Sequence, residues 1–379
     1  MEKKGTIIYI GGFELPDKNA AAHRVLSNAK IFKKLEYEVV FIGIDKELTY
    51  GNDIFNTKKV VLGFDCWSIP YPNSYLQWIR YLGSIGDFKK IIKLYQDVKY
   101  VICYNYQALA FFRIKLFCRK MSINIVGDCT EWYSSKEGGI LYRIIKCLDT
   151  FMRMRVIQKK LDGLIVISRY LESYYSKCNK VICLPPLVDK NEEKWKNIPD
   201  ETNNKITFVY AGSPGNKDKI NHIIEALSLI NIPFKLNIVG ITRNEYHKIS
   251  PQHKDILVSL KNKIVFFGRI SHLRTIKQIQ KADFSIFFRE KNIVSVAGFP
   301  TKFVESISCG TPVITNRTSN LDEFLIDSVN GYFIEFDSVE ALMNKLSFIS
   351  TMDRNEILEM KKCCYNSNTF DYRNYITLV

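Results

Sequence analysis

The sequence predicts an α/β protein with two domains, each built on a parallel sheet. Short apolar segments alternate with amphipathic segments along the chain, which is the pattern of repeated strand–helix–strand units. The alternation stops at Pro185-Pro186 and the polar stretch 189–205, and then starts again. A length of 379 residues also fits two domains of ordinary size.

In the first half, a β-rich segment at 6–10 ends in Gly11-Gly12. A helical pattern follows from about Ala20 to Leu35, and a fully apolar strand is predicted at 38–42. This strand–helix–strand opening is typical of a parallel sheet. Further strands are predicted at 101–103, 124–126, 164–167 and 181–184, and helices near 75–95, 106–119, 140–160 and 168–176.

The second half repeats the alternation without a residue-level repeat. A strand at 206–210 leads into a glycine-containing loop, and a helix is predicted at 220–229. Further strands are predicted at 234–239, 264–267, 284–288 and 312–315. Ligands of open α/β sheets bind at the carboxyl ends of the strands, so we expect the site in a cleft between the two domains.

The charge of the chain is distributed unevenly. Lys and Arg number 54 against 39 Asp and Glu, a net charge of +15, and most of the excess lies in residues 1–190. Basic segments with apolar faces at 88–95, 111–120 and 151–160 favour an anionic membrane surface as a partner. The alternative is that these apolar faces are the ordinary core of the domain. We predict no nucleic-acid partner, since no recognition motif for it is present.

Several classes of protein are not supported by the sequence. There is no apolar run long enough for a membrane span, and the first apolar segment is too short for a signal peptide. The ten cysteines are scattered without a CxxC pair, which favours a reduced, cytoplasmic setting. The sequence has no Asp-x-Asp pair, HExxH or P-loop, so we predict no metal site.

The segment 297–315 carries the densest chemical signal. Thr301 after Pro300 predicts a helix N-cap, and Lys302 to Cys309 then form about two turns that end at Gly310. The N-terminus of such a helix can bind phosphate, and Lys302 adds a cation there. Glu305 could accept hydrogen bonds from the vicinal hydroxyls of a sugar. The alternative is a plain capped helix with Glu305 in solvent.

This segment resembles the Glu-x7-Glu signature of retaining glycosyltransferases of the two-Rossmann (GT-B) architecture, specifically family four of the bacterial surface-polysaccharide type. Glu305 matches the second acidic position, which holds the nucleotide ribose, whereas Ala297 stands at the first. The resemblance implies two Rossmann-like domains facing a cleft, with an acceptor domain at 1–190 and a nucleotide-sugar domain at 200–362. It also implies a C-terminal helix at 363–379 that crosses back to the first domain.

The resemblance further implies metal-independent transfer of a sugar from a nucleotide-sugar donor to a hydroxyl of a glycan acceptor, with retention of configuration. We expect a lipid-linked acceptor, no cofactor, and a location on the inner face of the cell membrane. The alternative is a catalytically silent GT-B scaffold that binds a partner glycosyltransferase or a glycan. Ala297, and Ser213 where the family has an arginine, favour that alternative.

Individual site residues follow from the resemblance. Donor-binding residues are expected to be Gly12, Lys217, Arg289, Thr301, Lys302, Phe303 and Glu305. A tight turn with positive φ would explain Gly11-Gly12 equally well. Asp128 and Glu131 follow a predicted strand beside two aromatic residues and are candidate catalytic residues, and His23 is a third candidate. A capping Asp128 and an ordinary surface position of His23 are the alternatives.

Overall fold

The computed structural model describes residues 4–51, 53–133, 139–178, 180–196, 205–214 and 218–379. The chain forms two compact units. Unit one comprises Met1–Leu187, Ala297–Phe299 and Tyr372–Val379, and unit two comprises Val188–Val296 and Pro300–Asp371. Each unit is an α/β structure around its own sheet, which confirms the predicted fold class.

The sheet of unit one has eight strands in the order β3-β4-β2-β1-β5-β6-β7-β8. Neighbouring strands pair in parallel, except that β3 runs antiparallel to β4. β1 lies at the centre and all six of its residues are buried. The strands are β1 (Thr6–Gly11), β2 (Glu38–Asp45), β3 (Lys59–Val61), β4 (Phe64–Pro70), β5 (Val98–Tyr104), β6 (Asn124–Cys129), β7 (Gly163–Val166) and β8 (Lys180–Cys183).

The helices of unit one are α1 (Ala20–Lys34), α2 (Tyr75–Gly83), α3 (Gly86–Ile92), α4 (Ala108–Lys120), α5 (Ile140–Phe151) and α6 (Arg169–Tyr174). The single helix predicted at 75–95 is therefore two helices, because Ser84 has extended backbone between them. The helix predicted at 140–160 loses its α geometry at Met152, where a π-helical turn, Met152–Ile157, begins. Short 3-10 helices span Ile54–Thr57 and Gln158–Lys160.

Unit two has a six-stranded parallel sheet in the order β11-β10-β9-β12-β13-β14. Its strands are β9 (Ile206–Ala211), β10 (Phe234–Val239), β11 (Ile264–Gly268), β12 (Phe284–Ile286), β13 (Val313–Thr315) and β14 (Gly331–Phe333). Its helices are α7 (Ile220–Ser228), α8 (Arg243–Ile249), α9 (Lys254–Ser259), α10 (His272–Gln280), α11 (Ile293–Ala297), α12 (Thr301–Ser308), α13 (Val339–Ser350) and α14 (Arg354–Asn366). The 3-10 helices Glu193–Trp195, Pro251–His253 and Leu321–Glu323 complete it.

The predicted linker at 189–205 begins as a packed part of unit two. The Lys190 ammonium donates hydrogen bonds to the carbonyl oxygens of Ser308 and Tyr365, each at 3.0 Å. Trp195 is buried as well. The described part of the segment, residues 189–196, is therefore bonded to its own unit and is not a free connector.

The chain end differs from the predicted helix at 363–379. α14 ends at Asn366, and a 3-10 helix, Tyr372–Leu378, follows and belongs to unit one. Tyr372 joins the core cluster that contains Ile31 and Phe32 of α1. The stretch between the two helices is held by hydrogen bonds, including one from the Val188 amide to the Phe370 carbonyl at 2.9 Å.

Part of the predicted membrane face is core. Phe88, Ile91 and Ile92 of α3 are buried, so the apolar face of this basic segment covers the sheet. Trp67 is buried too, and its indole donates to the Tyr95 hydroxyl at 2.9 Å. All ten cysteines are free thiols and six of them are buried. Among the described residues, no helix is both long and apolar enough to span a bilayer.

Candidate functional site

A buried charged cluster lies beyond the carboxyl end of β9 in unit two. Its centre is Asp218, whose side chain is 3% exposed. The carboxylate accepts a hydrogen bond from Lys302 Nζ at 3.0 Å and another from the Tyr210 hydroxyl at 2.7 Å. Arg289 Nε lies 3.6 Å from the second carboxylate oxygen. Two cations and one anion thus share a space with little access to water.

The neighbours of Asp218 decide its protonation. Burial by itself would raise the pKa of this carboxyl, but the positive charges of Lys302 and Arg289 and the hydrogen bond from Tyr210 outweigh it, so the pKa lies below its ordinary value. The pKa of Tyr210 is raised well above its usual range, first by burial and then by the charge of Asp218. At neutral pH the cluster is therefore one carboxylate, two cations and a neutral phenol.

Two glycines shape the loop against which Lys302 lies. Gly212 has a φ of +135°, and a Cβ there would lie 3.5 Å from both Cε and Nζ of Lys302. Gly240 has a φ of +106°, and its Cβ would lie 2.4 Å from the Gly212 backbone. The positive φ favours glycine at both positions, and at Gly240 the close backbone contact excludes a Cβ as well. The Lys302 ammonium also lies 4.2 Å from the centre of the Tyr210 ring.

The first turn of α12 carries three of the predicted donor-binding residues. Pro300, not Thr301, occupies the N-cap position, and no side chain caps this helix, so the predicted capping role of Thr301 is wrong. Thr301 is the first helical residue and is half-buried. Lys302 is in the cluster, whereas the Phe303 side chain is fully buried against Phe370 at a ring distance of 5.9 Å. Phe303 can therefore meet a ligand only through its backbone.

Glu305 lies one turn further along α12 and is half-buried. Its Oε1 lies 3.1 Å from Nε2 of His272, the first residue of α10. The Trp195 ring lies beside His272, with ring centres 6.3 Å apart. A histidine that itself packs beside an indole thus fixes one side of this carboxylate, which rules out the alternative of a fully solvated Glu305.

Arg289 follows β12, and its backbone is held by hydrogen bonds with the side chain of Asn316. The amide of Arg289 donates to Asn316 Oδ1, and Asn316 Nδ2 donates back to the Arg289 carbonyl, both at 2.9 Å. Its side chain is 8% exposed, so the alternative of a solvated loop arginine is wrong. Lys217, the remaining predicted cation, lies outside the described residues.

A second buried charged cluster lies in unit one. Asp128, at the end of β6, is fully buried and accepts hydrogen bonds from Nε and Nη2 of Arg24 at 2.8–3.1 Å. The Tyr9 hydroxyl and Asn28 Nδ2 donate to the same carboxylate. Arg24 also donates to the Leu184 carbonyl at 2.8 Å. A carboxylate sealed in the core by these partners favours a structural role over the predicted catalytic one.

The other candidates in unit one have more open surroundings. Glu131 and His23 are half-buried. Gly12 has no positive φ, and an added Cβ there would meet only the Tyr81 hydroxyl, at 4.0 Å. At Gly11 a Cβ would lie 2.7 Å from Cβ of Tyr104. The turn explanation of this glycine pair is therefore wrong, since Gly11 is required by close strand packing and Gly12 leaves space at the strand end.

A cavity of about 380 Å³ lies in unit one near the carboxyl ends of β1, β2 and β4. Its walls include three tyrosines and charged side chains of both signs, namely Tyr50, Tyr81, Tyr106, Arg80, Lys90, Asp53 and Asp87. Burial raises the pKa of Tyr81 to about 12, so its phenol stays neutral and can donate a hydrogen bond. The size is at the lower end of small-ligand sites.

Sequence reasoning missed the partners that hold the site together: Asp218, Tyr210, His272 and Arg24. One available signal was a repeated pattern, since the first strand of each unit contains Tyr-x-Gly at its end, as Tyr9-Ile10-Gly11 and Tyr210-Ala211-Gly212. Both tyrosines bind the buried aspartate of their unit. Within the described ranges, no three His, Cys, Asp or Glu side chains are grouped so as to ligate a metal ion.

Comparison with known proteins places this site in a family domain. Residues 189–364 match the family described as "Glycosyl transferases group 1". This match contains the cluster residues Asp218, Arg289 and Lys302, together with Glu305. No curated protein matches the chain in sequence. Residues 189–364, just under half of the chain, are thus similar to the glycosyltransferase group 1 domain.

Solved structures share the fold over the whole chain. Sucrose-phosphate synthase from Thermosynechococcus elongatus superposes with a TM-score of 0.72 at 13% identity, over 99% of this chain and 97% of that one. HepE from Anabaena, in complex with UDP and glucose, gives 0.66 at 14% identity over 98% and 97%. TarM from S. aureus gives 0.69 at 10% identity over 99% of each. The fold is therefore that of GT-B glycosyltransferases.

Proposed function

We propose that this chain transfers a hexosyl group from a nucleotide-sugar to a hydroxyl of a glycan acceptor, with retention of configuration and without a metal ion. The observation that carries the proposal is the Asp218 cluster, in which two cations, Lys302 and Arg289, are held against one buried carboxylate. The family domain and the UDP complexes of the structural neighbour HepE support a nucleotide-sugar donor.

This pair of cations suits the leaving group of this reaction. As the bond from the sugar to the nucleoside diphosphate breaks, negative charge grows on the diphosphate, and fixed positive charge nearby stabilises the transition state more than the ground state. Lys302 and Arg289 are held in position by Asp218, Tyr210 and Asn316 before any ligand arrives. The uncapped N-terminus of α12 adds backbone N–H groups, whose partial positive charge acts in the same direction as these two cations.

Glu305 is assigned to the ribose of the donor. Its Oε1 is held by His272, which fixes the orientation of the carboxylate. A fixed carboxylate on the same short helix as Lys302 can accept hydrogen bonds from two vicinal hydroxyls while the diphosphate meets the cation. The three-residue separation of Lys302 and Glu305 places both on neighbouring positions of the helix surface.

The acceptor sugar is assigned to the cavity of unit one. Its four charged side chains carry no net charge, which suits a neutral sugar better than a diphosphate. Its tyrosines offer flat apolar faces and hydroxyl groups, the two features of a pyranose-binding site. We further propose that the acceptor is lipid-linked, that the product is a surface polysaccharide, and that the protein works at the cytoplasmic face of an anionic membrane.

Two residues favour the silent-scaffold alternative, Ser213 in place of an arginine and Ala297. Ala297 stands at the first acidic position of the signature and is fully buried, and its carbonyl accepts a hydrogen bond from the Ser168 hydroxyl at 2.7 Å. The retained Lys302, Arg289 and Glu305 favour the enzyme. The two functions can be distinguished, because an enzyme must bind and consume a nucleotide-sugar, whereas a scaffold consumes none.

Calorimetric titration with UDP tests the donor site. We expect UDP to bind the wild-type protein and Glu305→Ala to weaken binding about tenfold or more, because hydrogen bonds to a charged group contribute ~1.5–3 kcal/mol. Glu356→Ala is the control, since Glu356 is an exposed acid in α14 of the same unit. Equal UDP affinity in both variants would overturn the assignment of Glu305.

Turnover separates the enzyme from the scaffold. The wild-type protein is incubated with UDP-glucose and with other UDP-, GDP- and dTDP-sugars, in the presence of a membrane extract that contains lipid-linked glycans. The enzyme releases nucleoside diphosphate from one of these donors only when the extract is present. Tight UDP binding with no release from any donor would favour the scaffold.

A further inference from the structure

Helix α5 exposes an apolar stripe on the surface of unit one. Ile140 is 78% exposed, Ile144 52%, Leu148 60% and Phe151 49%. These residues are spaced by four, four and three positions, so they line one face of the helix. A helix of a soluble domain normally turns such a stripe toward the core, so this one is available for a partner.

The neighbouring helices α2 and α4 continue this exposed surface. In α4, Phe111 and Ile114 are buried, whereas Leu109, Phe112 and Leu116 are exposed. The core of unit one is therefore already covered, and the outer apolar side chains of α4 are not needed for it. In α2, Tyr75, Leu76 and Ile79 are exposed by 55–77%.

The three helices are contiguous. Arg113 Nη1 of α4 donates to the carbonyl of Gly83, the last residue of α2, at 2.6 Å. At the other end, Asp149 Oδ1 of α5 accepts from the backbone amide of Ala108, the first residue of α4, at 2.7 Å. We call the exposed surface of α2, α4 and α5 the outer face of unit one.

The outer face is strongly basic. The three helices carry seven Lys and Arg residues and one acidic residue, Asp149. The Asp149 carboxylate lies 3.9 Å from Arg153, a further cation outside the three helices, so the positive excess of this surface remains. The combination of aliphatic side chains and cations is the chemistry of an anionic lipid bilayer, in which acyl chains lie beneath negative headgroups.

A second copy of the chain fits the outer face less well. Two outer faces packed together would bring all the cations of both copies into one interface, where like charges repel. A nucleic acid would meet the cations but would leave the aliphatic side chains in water. The charge and the apolar area are satisfied together only by the bilayer.

We propose that the outer face docks this protein on an anionic bilayer, with α5 lying in the interface and its Ile140, Ile144, Leu148 and Phe151 stripe turned into the lipid. The proposal deepens the proposed function and rests on it for the lipid-linked acceptor alone. Arg80 and Tyr81 of α2 also line the cavity assigned to the acceptor sugar. One helix thus connects the membrane surface with the acceptor site.

Vesicle sedimentation tests the proposal with the full chain. We expect the wild-type protein to sediment with vesicles of phosphatidylcholine and phosphatidylglycerol in equal parts, and to stay in solution with phosphatidylcholine alone. Ile144→Asp combined with Leu148→Asp should lower the partition coefficient about tenfold or more, because both charges would enter the lipid. The control is Val258→Asp in α9 of unit two, at a residue that is 67% exposed.

The outcomes are distinct from those of the donor-site test. Equal sedimentation of the α5 double variant and the wild-type protein would overturn the proposal, and so would equal binding to vesicles with and without phosphatidylglycerol. Light scattering that shows a dimer broken by the double variant would assign the face to a second copy. Unchanged UDP affinity of the double variant shows that it is folded. Loss of UDP binding in Glu305→Ala leaves vesicle binding untouched, so the two proposals can fail separately.

Discussion

The two units bury comparable groups of side chains but balance their charges differently. In each unit, a tyrosine near the end of the first strand binds a buried aspartate: Tyr9 binds Asp128, and Tyr210 binds Asp218. Asp128 meets one cation, Arg24, and both are at most 4% exposed. Asp218 meets two cations, Lys302 and Arg289. The second aspartate thus faces two cations among the described residues, whereas the first faces one.

This difference distinguishes a structural cluster, around Asp128, from a ligand-binding cluster, around Asp218, in two units of the same α/β architecture. A buried aspartate paired one-to-one with an arginine has its charge offset, so the group has no need of a ligand. A second cation beside the same kind of aspartate adds a cost of repulsion that an incoming anion can offset. The number of cations around a buried carboxylate, more than its position at a strand end, therefore indicates which unit binds the diphosphate.

The largest effect is expected from breaking the Asp128 cluster. Asp128→Ala leaves the Arg24 guanidinium buried without its counter-charge, and removal of one partner of a buried ion pair costs about 3–5 kcal/mol. We expect the free energy of unfolding in urea to fall by that amount. Glu172→Ala is the control, because Glu172 forms a solvent-exposed pair with Arg169 in the same unit.

Activity measurements on two variants distinguish a structural from a catalytic Asp128. If the role is structural, Asp128→Ala that remains folded at low temperature keeps nearly unchanged UDP affinity and turnover per folded molecule. A catalytic role would appear as a loss of turnover in Asp128→Asn, which retains the shape of the side chain, without a matching loss of stability.

A smaller effect, measured in UDP binding and not in stability, is expected from Lys302→Met. Methionine keeps much of the apolar contact of the lysine stem and removes the charge, so one of the two cations that face Asp218 is lost. We expect UDP affinity in calorimetry to fall about 10–100-fold, the equivalent of one charged hydrogen bond. Lys345→Met, an exposed lysine of α13, is the control. Undiminished affinity in Lys302→Met would contradict the assignment of Lys302 to the diphosphate.

Sequence patterns predicted the fold better than the site because they report local chemistry. Buried parallel strands are largely apolar, so β1, β9 and β10 were predicted to within one residue at either end. The hairpin β3–β4 was missed, since β3 has only three residues and the first two of them are exposed. The break between α2 and α3 was missed as well, because it depends on the backbone of Ser84 and on no periodicity.

For the site, the sequence predicted Lys302, Arg289 and Glu305 as functional groups but not what holds them. Asp218 is 84 residues from Lys302, and His272 is 33 residues from Glu305. No spacing rule connects residues so far apart in the sequence. They come together only because the chain folds around the sheet. The roles predicted for Gly12, Glu131, His23 and Lys217 stay predictions.

The most subtle test of the comparison is the pH dependence of stability. Burial alone would raise the pKa of Asp218, but its cations and hydrogen bonds hold the pKa below the ordinary value, so the folded protein keeps this carboxylate charged at pH values where the unfolded chain takes up a proton. The resulting stabilisation is full above about pH 4 and is lost as the pH falls through the lowered pKa. Asp218→Asn removes this contribution, so the difference in Tm from the wild-type protein should shrink between pH 6 and pH 3. Asp322→Asn, at an exposed position of the same unit, is the control and should show a constant difference. A constant difference in Asp218→Asn as well would mean that Lys302 and Arg289 do not hold this carboxylate, and the Asp218 cluster would lose its role in positioning these two cations.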